Sequence, residues 1–302
     1  MGYKLRPQDP AAEVRKVARQ GIDKAIEALS LPPAERGEGV HQARKRFKEL
    51  RALLRLVRKP LGHEFQRENQ RLRDLGRVLS ESRDATAMLE SWDLLAKRYP
   101  ELFGEEDFKQ TRQRLKDRAE QTGGDAADLT ERIAQVIDAL HKLRGRIDEW
   151  PLKSKRDDNG FGLMAAGIKR TYADGCGELA KVRLDLSDEQ LHQWRKRVKD
   201  HWYQTRLLEP SWPAMMQLRS DNLKELADML GDDHDLAVMG ELMQAQPQLF
   251  GSETLRERLG VAIAQRRSDL QSAALKLGDG LYQEAPKNLV ARWERYWDEA
   301  NS

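Results

Sequence analysis

Basic side chains that repeat at helical spacing after a histidine are the residues of this sequence best suited to chemistry. His41 is followed by Arg44, Lys45 and Lys48, and Arg55 lies further along the same stretch. An α-helix turns about 100° per residue, so these side chains fall on one side in a stripe roughly 21 Å long. Lys and Arg donate hydrogen bonds to phosphate oxygens, and a histidine gains charge when an anion raises its pKa. The stripe therefore predicts an anion-binding surface.

The same pattern recurs 151 residues later. The segment from Val40 is VHQARKRFKELRALLRLV, and the segment from Leu191 is LHQWRKRVKDHWYQTRLL. On one side of the second segment lie His192, Arg195, Lys196, Lys199, Tyr203 and Arg206. The offset continues without a gap as far as Glu90 and Glu241. We therefore predict an internal duplication, with a first helical repeat at residues 1–150, a second at 151–302 and a boundary near residues 150–160.

The carboxylates of each repeat neutralise only part of this positive charge. Glu49 and Asp200 lie within one helical turn of some of the basic residues, but they cannot pair with the whole set. Unpaired like charges on one face repel, so their presence at matched positions indicates an anionic partner. A solvated basic face with structural histidines is the alternative interpretation of the same pattern.

Nearly every segment has the spacing of an amphipathic helix, and none shows a convincing alternation with a period of two, so we predict an all-α protein. Helices are expected from Asp9-Pro10 to about Leu29, from Val40 to Arg58, from Glu64 to Tyr99 with a break near Ser80, and over 105–121 and 125–148. Ser187 and Gln190 predict a capping box. The core candidates of the two basic segments are Val40, Ala43, Phe47, Leu50, Leu54 and Val57, and Leu191, Trp194, Val198 and Leu208.

Composition limits the classes of function. The net charge is only +3, so an anion site must come from local clustering, and aromatic residues at 6% do not favour a base-stacking surface. The single cysteine, Cys176, cannot form an internal disulfide and is expected to be a small core residue. There is no apolar signal core and no membrane-length apolar stretch, so we expect a cytoplasmic protein.

Residues 232–235 form the best metal-like cluster, but consecutive residues on a helix point in different directions and cannot all reach one ion. Only Asp84 and Asp235 match between the repeats, which favours a helix N-terminal or capping role. There is also no glycine-rich GxxxxGK loop. We expect no catalytic residue, no metal and no cofactor. Core packing is the favoured role for the C-terminal Trp293, Tyr296 and Trp297, and a partner patch is the alternative.

The His-x-x-Arg-Lys/Arg-x-x-Lys helix, its repetition and the Leu-Gly-x-x-x-Asp-like helix that follows resemble the CHAD domain, the conserved histidine α-helical domain. The resemblance spans about residues 9 to 300. Its strongest segments are HQARKRFKELRALLRL and HQWRKRVKDHWYQTRLLE, supported by LGRVLSESRDATAML, LADMLGDDHDLAVM and KRTYADG. It implies two related helical bundles around a central basic channel. It also implies binding of long-chain inorganic polyphosphate without a catalytic role.

The resemblance also implies which side chains contact the polymer. They are His41, Arg44, Lys45, Lys48, Arg51, Arg55, His192, Arg195, Lys196, Lys199 and Arg206, with weaker assignments at Arg73, Lys169, Arg170, Tyr172 and Lys224. The family often has Arg-Tyr late in the second basic helix, where this sequence has Trp202-Tyr203, so some channel charge is in doubt. The Glu-x-Glu-x-Lys strand of triphosphate-tunnel domains is not found, so triphosphatase or cyclase activity is not implied.

The expected function is non-catalytic binding of polyphosphate, with polyphosphate granules or granule-associated proteins as further candidate partners. The alternatives are a nucleic-acid-binding helical protein, a phosphohydrolase that acts on polyphosphate, and a scaffold that uses the polymer as a tether. A membrane partner is not expected, and the low aromatic content disfavours nucleic acid.

Overall fold

The computed structural model describes residues 3–79, 84–102, 105–122, 126–153 and 160–302, and these residues form α-helices and short 3-10 turns with no strand among them. The all-α prediction is confirmed. The helices before residue 150 are α1 (Pro10–Leu29), α2 (Arg36–Leu56), α3 (Arg58–Leu61), α4 (His63–Val78), α5 (Asp84–Arg98), α6 (Glu105–Thr122) and α7 (Ala126–Arg146). Those after it are α8 (Gly162–Leu184), α9 (Asp188–Leu207), α10 (Pro213–Ala245), α11 (Glu253–Leu281) and α12 (Pro286–Asn301).

The helix ends follow local chemistry, with two corrections. As predicted, α1 starts after Asp9, whose carboxylate accepts a hydrogen bond from the Ala12 amide at 3.1 Å. By contrast, α2 starts four residues before Val40 and ends at Leu56 rather than Arg58. Ser187 is the N-cap residue of α9, as predicted, but the capping box is wrong, because its hydroxyl donates to an oxygen of Asp185 at 2.9 Å instead of capping α9.

The acidic cluster at residues 232–235 lies in the middle of α10, a continuous helix of 33 residues, so the predicted N-terminal or capping role of Asp235 is wrong. Its buried member, Asp233, accepts hydrogen bonds from Arg267 Nε at 3.0 Å and Gln271 Nε2 at 2.8 Å. These bonds tie α10 to α11. The side chain of Asp84, the break near Ser80 and residues 154–159 of the predicted boundary lie outside the described part of the chain.

The core lies where the apolar stripes of α2 and α9 meet their neighbours. All ten core candidates of the two basic segments are buried, which confirms that prediction. Helix α2 packs against α1, α4, α8 and α9, and α9 packs against α8 and α10. Gly167 of α8 lies so close to α2 that a Cβ there would come within 1.9 Å of the Leu56 carbonyl oxygen. Trp293, Tyr296 and Trp297 are buried, as predicted for core residues.

Candidate functional site

The two histidine-led segments lie on α2 and α9, which run antiparallel and in contact. Arg55 of α2 forms an ion pair with Asp200 of α9 at 3.1 Å. Six residues earlier on α2, Glu49 pairs with Arg206, six residues later on α9, also at 3.1 Å. This reciprocal register is the one that antiparallel neighbours require.

Each carboxylate at this contact binds a second arginine from its own helix. Glu49, which is 2% exposed, accepts from Arg46 at 2.6 Å. Asp200, which is 8% exposed, pairs with Arg197 at 3.3 Å. The 151-residue offset relates Glu49 to Asp200. It also relates Arg46 to Arg197 and Arg55 to Arg206. The α2–α9 contact therefore contains the same three-residue ion cluster twice.

These clusters change the role expected for two arginines. Arg55 and Arg206 were expected to contact an anion, yet both are engaged by a carboxylate of the opposite helix. Removing one partner of a buried ion pair typically costs about 3–5 kcal/mol, because the other charge is left uncompensated. Arg55 and Arg206 thus join the helices, a role that the sequence could not indicate because it does not show which helix lies opposite.

On the other side of α2, arginines reach across to α4. Arg44 donates to the Gly76 carbonyl, and Arg51 Nε donates to Asn69 Oδ1 at 3.1 Å. Since Arg44 and Arg51 contact α4 while Arg55 contacts α9, the basic stripe lies on the side of α2 between these two helices. The exposed Arg73 stands on α4 beside this stripe.

Positive charge is crowded around Arg51. The pKa of Arg51 is lowered to about 10, mainly by burial and also by the charges of Arg55, Arg73 and Arg197, while Asp200 opposes the change. A guanidinium group whose pKa falls in this way gains from an added negative charge. Arg197 and Asp200, which the sequence did not assign to the site, belong to this charge cluster.

The corresponding place 151 residues later in the sequence has the same contact without the charge. Trp202 occupies the position of Arg51, and its indole Nε1 donates to Ser220 Oγ at 3.1 Å. Ser220 is the counterpart of Asn69 at the same offset. On α10, Lys224 replaces Arg73 and forms an ion pair with Asp228 at 2.6 Å.

His192 lies against His234 of α10, with ring centroids 4.7 Å apart. The pKa of His192 is lowered to about 4, mainly by burial and also by the charges of Lys196, His234 and Arg195, while Glu189 opposes the change. Its Nδ1 is buried and has no hydrogen-bond partner among the described residues. At neutral pH this ring is uncharged in the free protein.

Arg195 depends on a glycine of α10 for its position. A Cβ at Gly231 would lie 2.7 Å from Arg195 Nη2, so a larger residue would displace the guanidinium group. The neighbouring Lys196 is exposed, and its ammonium group donates to Gln193 at 3.3 Å. The remaining stripe residues, His41, Lys45, Lys48 and Lys199, are half-buried.

Two predicted contact residues are core residues. Tyr172 is 0% exposed and its hydroxyl donates to the Leu281 carbonyl at 3.2 Å. Tyr203 is 4% exposed and meets the Tyr3 ring edge-on at 6.3 Å. A polymer on the surface cannot reach either side chain in this conformation, so both expectations are corrected.

The predicted contacts on α8 are exposed. Lys169 and Arg170 both face solvent, and Arg170 lies 4.0 Å from Asp174. The charge of Arg170 also lowers the pKa of Arg58, just after α2, although burial is the larger cause there. These two residues therefore extend the positive surface towards the end of α2.

Within the described ranges, no three His, Cys, Asp or Glu side chains come together in a way that could hold a metal ion. The same ranges contain no helix that is both long and apolar enough to cross a membrane.

A family model described as the CHAD domain matches residues 20–244. The crystal structure of the CHAD domain from the plant Ricinus communis is similar, with a TM-score of 0.61 and 19% sequence identity. The similarity covers 91% of this chain and 93% of that one, and at this identity it shows a shared fold. No curated protein matches the sequence.

Proposed function

The chain belongs to the CHAD-domain family, and from that premise we propose that it binds inorganic polyphosphate without catalysing a reaction. The proposed site is a basic groove with α2 and α9 as its floor and with α4 and α10 as its walls. The observation that carries the proposal is the positive charge gathered around the half-buried Arg51. Burial is the main cause that lowers the pKa of Arg51, and with the charges of Arg55, Arg73 and Arg197 it brings this pKa to about 10.

The reciprocal register of α2 and α9 supports one groove rather than two separate surfaces. When a two-fold rotation exchanges two antiparallel neighbouring helices, its axis must be perpendicular to the plane that contains both helices. Such a rotation keeps equivalent faces on the same side of the pair. The equivalence of the ion clusters of Glu49 and Asp200 across the contact therefore supports the proposal that both basic stripes lie on the same side.

The ion pairs divide the basic residues into two groups. Arg55 and Arg206 hold α2 to α9 through carboxylates, and Arg46 and Arg197 pair with the same carboxylates from within their own helices. The proposed polymer contacts are Arg44, Lys45, Lys48, Arg51 and Arg73 from the first repeat, and Arg195, Lys196 and Lys199 from the second. His41 and His192 lie at the starts of the two stripes, and Lys169 and Arg170 extend the surface.

A polyanion suits this groove better than a small anion. Each cation that binds a polymer phosphate releases condensed counterions, so many weak contacts add up to an affinity that falls steeply with salt. The bound polymer would also raise the pKa of His192, opposing the charges of Lys196 and Arg195 that lower it in the free protein.

Charge reversal at Lys45 and Lys196 tests the proposal. For neither residue does the structure place a carboxylate at ion-pair distance in the described part of the chain, so K45E/K196E should fold normally. The matched control is K276E/K287E, two exposed lysines on α11 and α12 with the same change of charge. We expect the first variant to lose binding of long-chain polyphosphate by at least about tenfold and the control to keep it. Equal affinities of the two variants would refute the groove.

The alternatives are distinguished in the same assay. Long polyphosphate should displace single-stranded DNA or RNA readily, whereas efficient displacement of polyphosphate by nucleic acid would favour a nucleic-acid-binding protein. Incubation with polyphosphate and Mg²⁺ should leave the chain length unchanged on a gel, and shortening would favour a phosphohydrolase. Association with polyphosphate granules in cells is the expected consequence of the binding.

A further inference from the structure

A second positively charged position lies away from the groove, where the two repeats bury opposite charges. Glu68 on α4 is 1% exposed and is neutralised by Arg71 at 2.6 Å and by Arg146 at 3.0 Å. At the equivalent position on α10 stands Arg219. Among the described residues, no carboxylate lies within ion-pair distance of Arg219. The second repeat thus places a guanidinium group here without the counter-charge that the first repeat provides.

The partners of Arg219 are all neutral. Its Nε and Nη2 donate to His201 Nε2 at 3.2 and 3.1 Å, and Nη2 also donates to the Leu281 carbonyl at 2.9 Å. The face of the Tyr172 ring lies 5.7 Å from the guanidinium carbon. Burial, together with the charge of Arg219, lowers the pKa of His201 well below its ordinary value, so this imidazole is an uncharged acceptor.

An uncompensated charge in this position is unfavourable. Arg219 is partly buried, and burial lowers its pKa, with Tyr172 and Tyr282 opposing the change. Taking a charge out of water without a counter-ion costs free energy that a nearby anion would recover. The charge of Glu284 also opposes the lowering of the Arg219 pKa, but the two oxygens of Glu284 accept from Arg292 at 3.3 and 2.6 Å. Arg219 is therefore left available to an anion from outside.

A cavity of about 350 Å³ opens beside Arg219, between α10, α11 and α12. Its apolar wall consists of Met215, Met216, Leu218, Leu277, Leu281 and Trp293. Leu218 at the mouth is 58% exposed. Arg219 Nη1 has no hydrogen-bond partner in the part of the chain that the structure describes, and the cavity is lined by this residue. The site therefore combines a guanidinium donor that has no hydrogen-bond partner among the described residues with an apolar cavity of a size that small ligands occupy.

We propose that this cavity binds a small organic carboxylate with an apolar body, whose carboxylate pairs with Arg219 while its hydrocarbon part lies against Leu277 and Trp293. The apolar wall distinguishes the site from the polyphosphate groove, because a polyanion would lose hydration there without gaining contacts. The proposal is independent of polyphosphate binding.

Isothermal titration of the full chain with octanoate tests the proposal, and 1-octanol serves as the uncharged comparison. We expect octanoate to bind with a Kd below about 1 mM and octanol to bind at least about tenfold more weakly. No measurable octanoate binding, or equal binding of the two compounds, would overturn the proposal.

Two variants locate the binding. Gly280 lines the cavity, and a Cβ there meets no atom within 4 Å, so G280L should fill the space while the fold is kept. Gly177 on α8 is equally open but does not line the cavity, which makes G177L the matched control. We expect G280L to weaken octanoate binding at least tenfold and G177L to leave it unchanged. R219M should abolish the preference for octanoate over octanol. If R219M fails to fold, the comparison of G280L with G177L still tests the proposal, since unchanged octanoate binding in G280L would exclude this cavity.

Discussion

The two halves of the proposed groove share their contacts but differ in their charge. Arg51 bonds to Asn69 in the first half, and Trp202 bonds to Ser220 at the equivalent positions in the second, both at 3.1 Å. The charge of Arg73 lowers the pKa of Arg51, whereas its counterpart Lys224 is paired with Asp228. The comparison teaches that the helix packing does not depend on the charge of the proposed anion site, because the same helix contact is kept where the charge is absent.

The largest expected effect concerns the two ion clusters between α2 and α9. D200N should lower the free energy of unfolding by about 3–5 kcal/mol, because it leaves Arg55 and Arg197 uncompensated. E49Q should cost less, since Arg206 still lies over the Trp202 ring at 5.3 Å. Urea denaturation measures both, with the exposed E294Q as a control that stays within about 0.5 kcal/mol of the parent. A larger loss of unfolding free energy in E49Q than in D200N would contradict this prediction.

Exchanging the charge between the halves sharpens the comparison. R51Q should weaken polyphosphate binding by about tenfold, which corresponds to about 1.4 kcal/mol. Conversely, W202R/S220N builds the arginine–asparagine pair of the first half into the second and should strengthen binding. S220N alone is the control and should leave the affinity unchanged. If W202R/S220N folds and binds no more tightly than S220N, the charge of this position does not contribute.

The pH dependence of stability should report on His192. Its pKa of about 4 in the folded protein lies below the ordinary value of 6.5, so the unfolded chain binds more protons between these values. Stability should therefore fall as the pH drops from about 6.5 towards 4, and H192Q should remove that part of the fall. Urea denaturation at several pH values measures the difference. Parallel curves for parent and variant would show that His192 keeps its ordinary pKa.

The smallest effect is expected on the walls of the groove. R73A should weaken polyphosphate binding a few-fold, because Arg73 adds to the crowded charge around Arg51. K224A should change the affinity less than about twofold, since the charge of Lys224 is compensated by Asp228 and removing it leaves a carboxylate beside the groove. Fluorescence anisotropy with labelled polyphosphate compares the two, and equal losses would show that the walls contribute alike.

Sequence reasoning found the helices and the inward faces of α2 and α9, because Phe47 and Trp194 follow the helical period. The family resemblance pointed to Trp202 as a departure from the family's basic pattern. Sequence reasoning missed the roles of Glu49 and Asp200, which pair with arginines of the opposite helix. Periodicity shows which face of its helix a residue occupies but not which residue lies opposite. Sequence reasoning misplaced Tyr172 for the same reason, because the face of α8 that carries this residue is covered by other helices.

The central claim is that one polymer crosses both basic helices, and the salt dependence of binding tests it most directly. If both helices contact the same polymer, the slope of log affinity against log salt should become shallower by about 0.7 in each single variant, K45E and K196E. The double variant should show the sum of the two changes. The matched K276E/K287E protein should keep the parent slope. A change confined to one helix, or parent slopes in all variants, would contradict a shared groove.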